Sequence, residues 1–114
     1  MRGDVWRFSL DPTVGSEQSK TRPCVIVQRT SANETSPTTI VCPLSDARGS
    51  SGNLLHVLVK PPEGGITKAS LVLVNQVRTV DRLRARGSPL GHLNERTMAL
   101  VDQGLRAILD LGDE

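Results

Sequence analysis

The apolar residues of this chain come in runs too short for anything but strands. Residues 24–27 read CVIV, 39–44 TIVCPL, 54–59 LLHVLV, 71–74 LVLV and 77–80 VRTV. Ahead of them Trp6, Phe8 and Leu10 alternate with Arg7 and Ser9, the two-residue period of a half-buried strand. A run such as CVIV fits a strand covered on both faces. Breaks rich in Gly, Pro and Ser (DPTVGSE, TSP, DARGSSGN, PPEGG) separate the runs. Six short strands punctuated in this way predict a small β-barrel. Pro43 predicts an edge strand or a bulge, because proline cannot donate to a ladder. Asp46–Asn53 is the segment expected to be mobile.

The C-terminal segment has a different period. Asn94 is a candidate N-cap, and Met98, Val101, Leu105 and Ile108 then recur at helical spacing to make one apolar face. Gly104 weakens this helix without breaking it. The 114 residues suit one domain, 1–114, with one core. No apolar run approaches the ~18 residues of a membrane span, and no charged-then-apolar leader is present. The expected compartment is the cytoplasm. Cys24 and Cys42 have no His or second Cys at ligand spacing, so buried reduced thiols are expected rather than a disulfide or a zinc site.

Charge bounds the partners only loosely. Lys and Arg number 14 against 12 Asp and Glu, a net charge of +2. That permits nucleic acid or an acidic peptide and demands neither. Trp6 and Phe8 are the only aromatics, fewer than a stacking platform for single strands normally uses.

The polar residues gather at strand mouths. Ser16, Glu17 and Gln18 precede the second strand, and Arg22 opens it. Thr38, Thr39 and Ser45 flank the third. Asn75, Gln76, Arg78 and Asp81 follow the fifth. In a closed barrel these loops meet at one rim. Each residue also has a plain structural reading. Pro23 keeps Arg22 out of the α region, so Arg22 can be a strand start with a solvated side chain. Ser45 can form a turn with Asp46. His56, in an apolar strand, fits a hydrogen-bonded core histidine. Arg2–Asp4 spell RGD, a short match that chance produces often.

The stretch RGDVWRFSLDPTVGSEQSKTRPCVIV is similar to the opening of the MazF/PemK toxin family, which reads R-G-[DE]-[IV]-W, L-D-P-x-x-G-x-E-Q and R-P-x-x-[IV]. NQVRTVDRLRARG resembles the family's D/E-Q-[IVP]-[RK]-[ST]-I-D block. The resemblance runs from about Arg2 to Leu109. It implies a mainly β fold, a small SH3-like barrel with a C-terminal helix, assembled as a homodimer. It implies a toxin of a type II toxin–antitoxin pair that cleaves single-stranded mRNA at particular sequences without a metal or other cofactor. The products are a 2′,3′-cyclic phosphate and a 5′-hydroxyl. The implied inhibitor is an antitoxin whose acidic, disordered tail covers the RNA groove.

Residue by residue, the arginine of the Arg-Pro pair falls on Arg22, and a catalytic threonine of many members falls on Ser45. The Glu-Gln pair falls on Glu17 and Gln18, and the later glutamine on Gln76. One branch uses a histidine, an arginine and an aspartate where this chain has Ser16, Leu73 and Asn75, so that set is absent. The chemistry suits Arg22: a guanidinium is a planar fork that can grip a phosphate and offset the charge building on it. Ser45 adds a hydrogen bond to the same phosphate. The proton acceptor stays open between Glu17, His56 and a 2′-hydroxyl activated by geometry alone. With few aromatics, Gln18, Asn75 and Gln76 are expected to read base edges. Ser16 and His56 join the expected RNA contacts, and Arg78, Arg82, Arg84 and Arg86 are expected to bind backbone phosphates or to form a solvated basic stretch. The alternatives are a gyrase-poisoning relative on the same fold and a non-catalytic barrel that binds an acidic peptide.

Overall fold

The short apolar runs become strands of one curved antiparallel sheet. The computed structural model describes residues 1–112. Its strands are β1 (Asp4–Ser9), β2 (Thr21–Ile26), β3 (Thr38–Asp46), β4 (His56–Val59), β5 (Ser70–Leu73), β6 (Arg78–Asp81) and β7 (Ala85–His92). A single helical turn, α1 (Thr30–Asn33), follows β2, and α2 (Glu95–Ile108) ends the fold. Neighbours run β4-β5-β3-β2-β1-β7, with β6 also on β3. The expected barrel is therefore open, since β4 and β7 end the path without pairing. The turn Glu63–Gly65 after β4 lies against β7 at that opening. Gly91 permits the approach: a Cβ there would sit 2.6 Å from the backbone of Gly64 and Gly65.

Both faces of the sheet are covered, as the continuous run CVIV requires. Val25 and Val27 join Val5, Cys42, Leu44, Val57, Val72 and Val101 in the larger core, which α2 closes. Cys24 and Ile26 face the other way, into a smaller core with Phe8, Leu10, Val41 and Val80. Cys24 and Cys42 are thus buried on opposite faces and unpaired. Burial holds both thiols protonated, pushed up to about 12.

Three strand expectations change. Pro43 is not on an edge, because β3 is the most connected strand. It pairs with β6 over Thr38–Val41 and with β5 over Leu44–Asp46. Pro43 lies in the gap between those ladders, where neither strand asks for its missing N–H. β4 starts only at His56, because Asn53 Oδ1 accepts from the amides of Leu55 and His56 and holds that stretch as a turn. β7 has no counterpart in the sequence reading. Gly87, Pro89 and Gly91 interrupt its apolar pattern, and an edge strand exposed along most of its length needs none.

The helix follows its signals. Asn94 Oδ1 accepts from Thr97 N at 2.8 Å. Met98 and Val101 are buried, while Ile108 is exposed at the last turn. Gly104 does more than tolerate the helix: a Cβ there would meet Leu54 O at 2.7 Å, so the glycine lets α2 seat on the 54–74 region. Arg2 ties α2 to the sheet, donating to Val27 O and pairing with Asp102. Asp4 pairs with His92 at 2.7 Å. The RGD triplet is thereby absorbed into the fold. Asp46–Asn53 is a chain of turns, with Ala47 buried and Ser50 N donating to Ala47 O. No helix among the described residues is long and apolar enough to cross a membrane.

Candidate functional site

Antiparallel register brings Arg22 to Ser45. β2 and β3 pair Ile26 with Val41, Val25 with Cys42 and Cys24 with Pro43. The ladder ends there; its register, continued two residues further, sets Arg22 against Ser45. On its other side Arg22 pairs with Phe8 of β1, and Ser45 pairs with Leu71 of β5. Both line one cleft of about 220 Å³, together with Arg7, Asp46, Thr67 and Lys68. Arg22 Nε donates to Ser19 O at 2.9 Å, which fixes the direction of the guanidinium. Its terminal nitrogens have no ion pair among the described residues. The Ser45 hydroxyl likewise has no side-chain partner there. A fixed cation with free donors beside a free hydroxyl suits an anion that arrives from outside.

A second depression, of about 630 Å³, adjoins the first across β3, Pro43 lining one and Leu44 and Ser45 the other. It gathers Ser16, Glu17, Gln18, Asn75, Gln76 and Arg78. Much of its hydrogen bonding is already engaged. Gln76 Oε1 accepts from Gln18 N at 2.8 Å, and Gln76 Nε2 donates to Ser16 O at 3.4 Å. Glu17 Oε1 accepts from Val14 N at 2.7 Å. Arg78 Nη1 donates to Leu10 O at 3.2 Å. Gln76 therefore braces the loop that carries Gln18. The Gln18 side-chain oxygen is buried without a partner.

The other expected contacts scatter. His56 lines a separate depression of about 350 Å³ against Leu100 and Gln103 of α2, away from Arg22. Arg82 borders a further depression, about 700 Å³ and mostly apolar, with Trp6, Phe8 and Ile26. Its Nη1 donates to Asn33 O. Arg84 donates to the carbonyls of Ser9 and Asp11, and Arg86 to those of Leu83 and Ala85. Thr39 is buried, with its hydroxyl on Asn33 Oδ1. Thr38 accepts or donates to Ser36 across a turn. The basic stretch is thus not one row of free cations. Conversely, Arg7, Asp46 and Lys68 escape the sequence reading. Arg7 reads as the solvent face of an alternating strand, and Lys68 as one lysine in a loop. Long-range pairing brings Arg7 and Lys68 to this cleft, whereas Asp46 adjoins Ser45 in the chain.

The model of the PemK-like, MazF-like toxins of type II toxin–antitoxin systems matches residues 1–109. The chain belongs to this family. Endoribonuclease MazF of Staphylococcus epidermidis is 37% identical over 112 residues, spanning 98% of this chain and 92% of that protein. Endoribonuclease EndoA of Bacillus subtilis is 35% identical over 112 residues, spanning 98% and 96%. Among solved structures, MazF of Deinococcus radiodurans superposes with a TM-score of 0.81 at 20% identity over 96% of each chain. An endoribonuclease in complex with its cognate antitoxin, from a mycobacterial species, gives 0.78 at 20% identity, over 100% of this chain and 98% of that one. At such identity the likeness establishes the fold. In this MazF-like chain the two polar depressions flank a single strand, β3.

Proposed function

We propose that this chain is a toxin endoribonuclease that cuts single-stranded mRNA in the cytoplasm at particular sequences, without a metal or cofactor. The observation that carries the reading is the cleft in which Arg22, with its terminal donors unengaged, stands opposite Ser45. The substrate's own 2′-hydroxyl attacks the adjacent phosphorus. Arg22 grips the phosphate with two parallel donors and offsets the charge that develops on its oxygens. One preorganised donor of this kind is worth ~10²–10³ in rate. Ser45 donates to the same phosphate and limits its rotation. The P–O5′ bond breaks, leaving a 2′,3′-cyclic phosphate and a 5′-hydroxyl. Arg7 and Lys68 supply further positive charge for the RNA backbone. Gln18 and Asn75, in the adjoining depression, read base edges, and Gln76 holds the loop from which Gln18 reads.

Family membership supports the rest of the reading: a homodimer, silenced by a cognate antitoxin whose acidic tail competes with RNA for the cationic cleft. The test is incubation of purified protein with single-stranded RNA in EDTA, followed by analysis of the fragment ends. Fragments with cyclic phosphate and 5′-hydroxyl ends are expected, and added antitoxin should suppress them. Intact RNA after exposure to folded protein would reject the reading. Light scattering checks the dimer, for which a monomer mass at micromolar concentration is the adverse result.

A further inference from the structure

Arginines gather at the neck of the hairpin between β1 and β2. Leu10 N donates to Lys20 O at 2.9 Å and closes that neck. Arg22 Nε donates to Ser19 O, and Arg78 Nη1 to Leu10 O. Arg84, just ahead of β7, donates to the carbonyls of Ser9 and Asp11. Arg78 and Arg22 also share a face of the sheet. Arg78 pairs with Val41. Alternation along β3 puts Val41, Pro43 and Ser45 on one face. Arg22 lies on that face two residues from Cys24, which pairs with Pro43. Burial and Cys42 push the Cys24 thiol up, while Arg78 and Arg22 both pull it down. Both guanidiniums therefore lie near one side chain.

Both arginines are half-buried, and neither has an ion pair among the described residues. Of the carboxylates in the two depressions, Glu17 holds Val14 N, and Asp46 falls on the other face of β3 with Leu44. Like charges held together without an acid between them repel each other. An arriving anion removes that cost. The bond to Leu10 O does not by itself explain the guanidinium, since one N–H of an ammonium would serve it. That bond aims the head, as the bond to Ser19 O aims Arg22. Among the described residues the other nitrogens of Arg78 have no hydrogen-bond partner.

We propose that Arg78 is a second catalytic arginine, gripping the same phosphate as Arg22, an assignment that rests on reading this cleft as an RNA-cleaving site. The phosphodiester is an anion, and it gains further negative charge as the O2′–P bond forms. Arg22 and Ser45 hold it from the cleft, and Arg78 holds it from the depression beyond Pro43. Arg78 supplies charge and position only, because a guanidinium hardly deprotonates.

The test is single-turnover cleavage of one single-stranded RNA at saturating protein by the wild type, Arg78→Ala, Arg78→Lys and Arg84→Ala, with thermal unfolding of each. Arg84→Ala is the control, because it removes bonds to the same hairpin neck. Arg78→Ala is expected to lose ~10²–10³ in rate at saturation. Arg78→Lys keeps a charge and a donor for Leu10 O, and should recover only part of that loss. Guanidinium ion, added below denaturing concentration, should speed Arg78→Ala and leave Arg84→Ala unchanged. A wild-type rate at saturation in Arg78→Ala would remove Arg78 from the reacting phosphate and leave the endoribonuclease reading standing. Equal slowing of Arg78→Ala and Arg84→Ala, with melting temperatures equally lowered and no rescue, would also overturn the assignment, since that pattern marks a brace of the neck. Should Arg78→Ala fail to fold, Arg78→Lys decides alone, and a wild-type rate there overturns the assignment. If the wild type cuts no RNA, the reading of the cleft fails and the role of Arg78 fails with it.

Discussion

The two depressions on either side of Pro43 hold similar numbers of polar side chains and use them in opposite ways. Around Gln76 the amide, the carboxylate and the guanidinium are occupied by backbone groups: Gln76 with Gln18 and Ser16, Glu17 with Val14, Arg78 with Leu10. Around Ser45, Arg22 uses only Nε internally, and Lys68 and Arg7 have no side-chain partner among the described residues. One depression is built to hold its own shape. The other is left with donors facing outward. A polar residue near a cleft is therefore weak grounds for ligand contact until its existing bonds are counted.

That contrast breaks first at Arg22. Arg22→Ala should lower cleavage by ~10²–10³ or more while the protein stays folded, as circular dichroism would show. Arg22→Lys should also be badly impaired, because a point charge cannot replace a fork. Unchanged turnover in either would mean that the open cleft is not the reacting one. Next comes Ser45. Losing a hydrogen bond to a charged group costs about 1.5–3 kcal/mol, so Ser45→Ala should slow cleavage by ~10–100-fold. Ser45→Thr keeps the hydroxyl and should stay close to wild type in single-turnover rates. If Ala and Thr behave alike, Ser45 is only a strand residue.

The occupied depression should respond in stability. Gln76→Ala leaves Gln18 N and Ser16 O without their partner and should cost about 0.5–1.5 kcal/mol, read as a lower melting temperature. It should also blur several positions of the cleavage motif, since the whole Ser16–Gln18 loop loosens. Gln18→Ala should relax one position and leave the melting temperature nearly unchanged. Sequencing of fragment ends separates the two. The smallest effect concerns salt. Lys68→Ala should flatten the log–log dependence of RNA binding on salt by about 0.7, one lost single-strand contact. Arg84→Ala, whose donors already serve the carbonyls of Ser9 and Asp11, should leave that slope alone and lower the melting temperature instead.

Much of the fold could be read in advance because it follows from local patterns. The Trp6–Leu10 alternation, the CVIV run and the Asn94-capped helix each carry their own period. β7 could not, because an exposed edge strand needs no apolar alternation and its glycines and proline read as a break. Arg22 and Ser45 were legible through a motif. That they meet depends on pairing between β2 and β3, which no window of sequence shows. Gln76 was recognised as a site residue, but its bracing of Gln18 N spans 58 positions and becomes visible only in three dimensions. The place of His56 was not legible, because an apolar strand does not reveal which neighbour its polar position will face, and here that neighbour is α2.

β3 also has a mechanical consequence. Arg22 belongs to the ladder with β1, and Ser45 to the ladder with β5. The two are joined only through the β2–β3 pairs that end at Pro43. In the proposed reaction the arginine and the hydroxyl would be the jaws of a pair of pliers, with the bend of one strand as the pivot. Side chains packed behind the pivot, such as Leu44 and Val72, set the gap between the jaws. Substitutions there should retune turnover without touching either jaw.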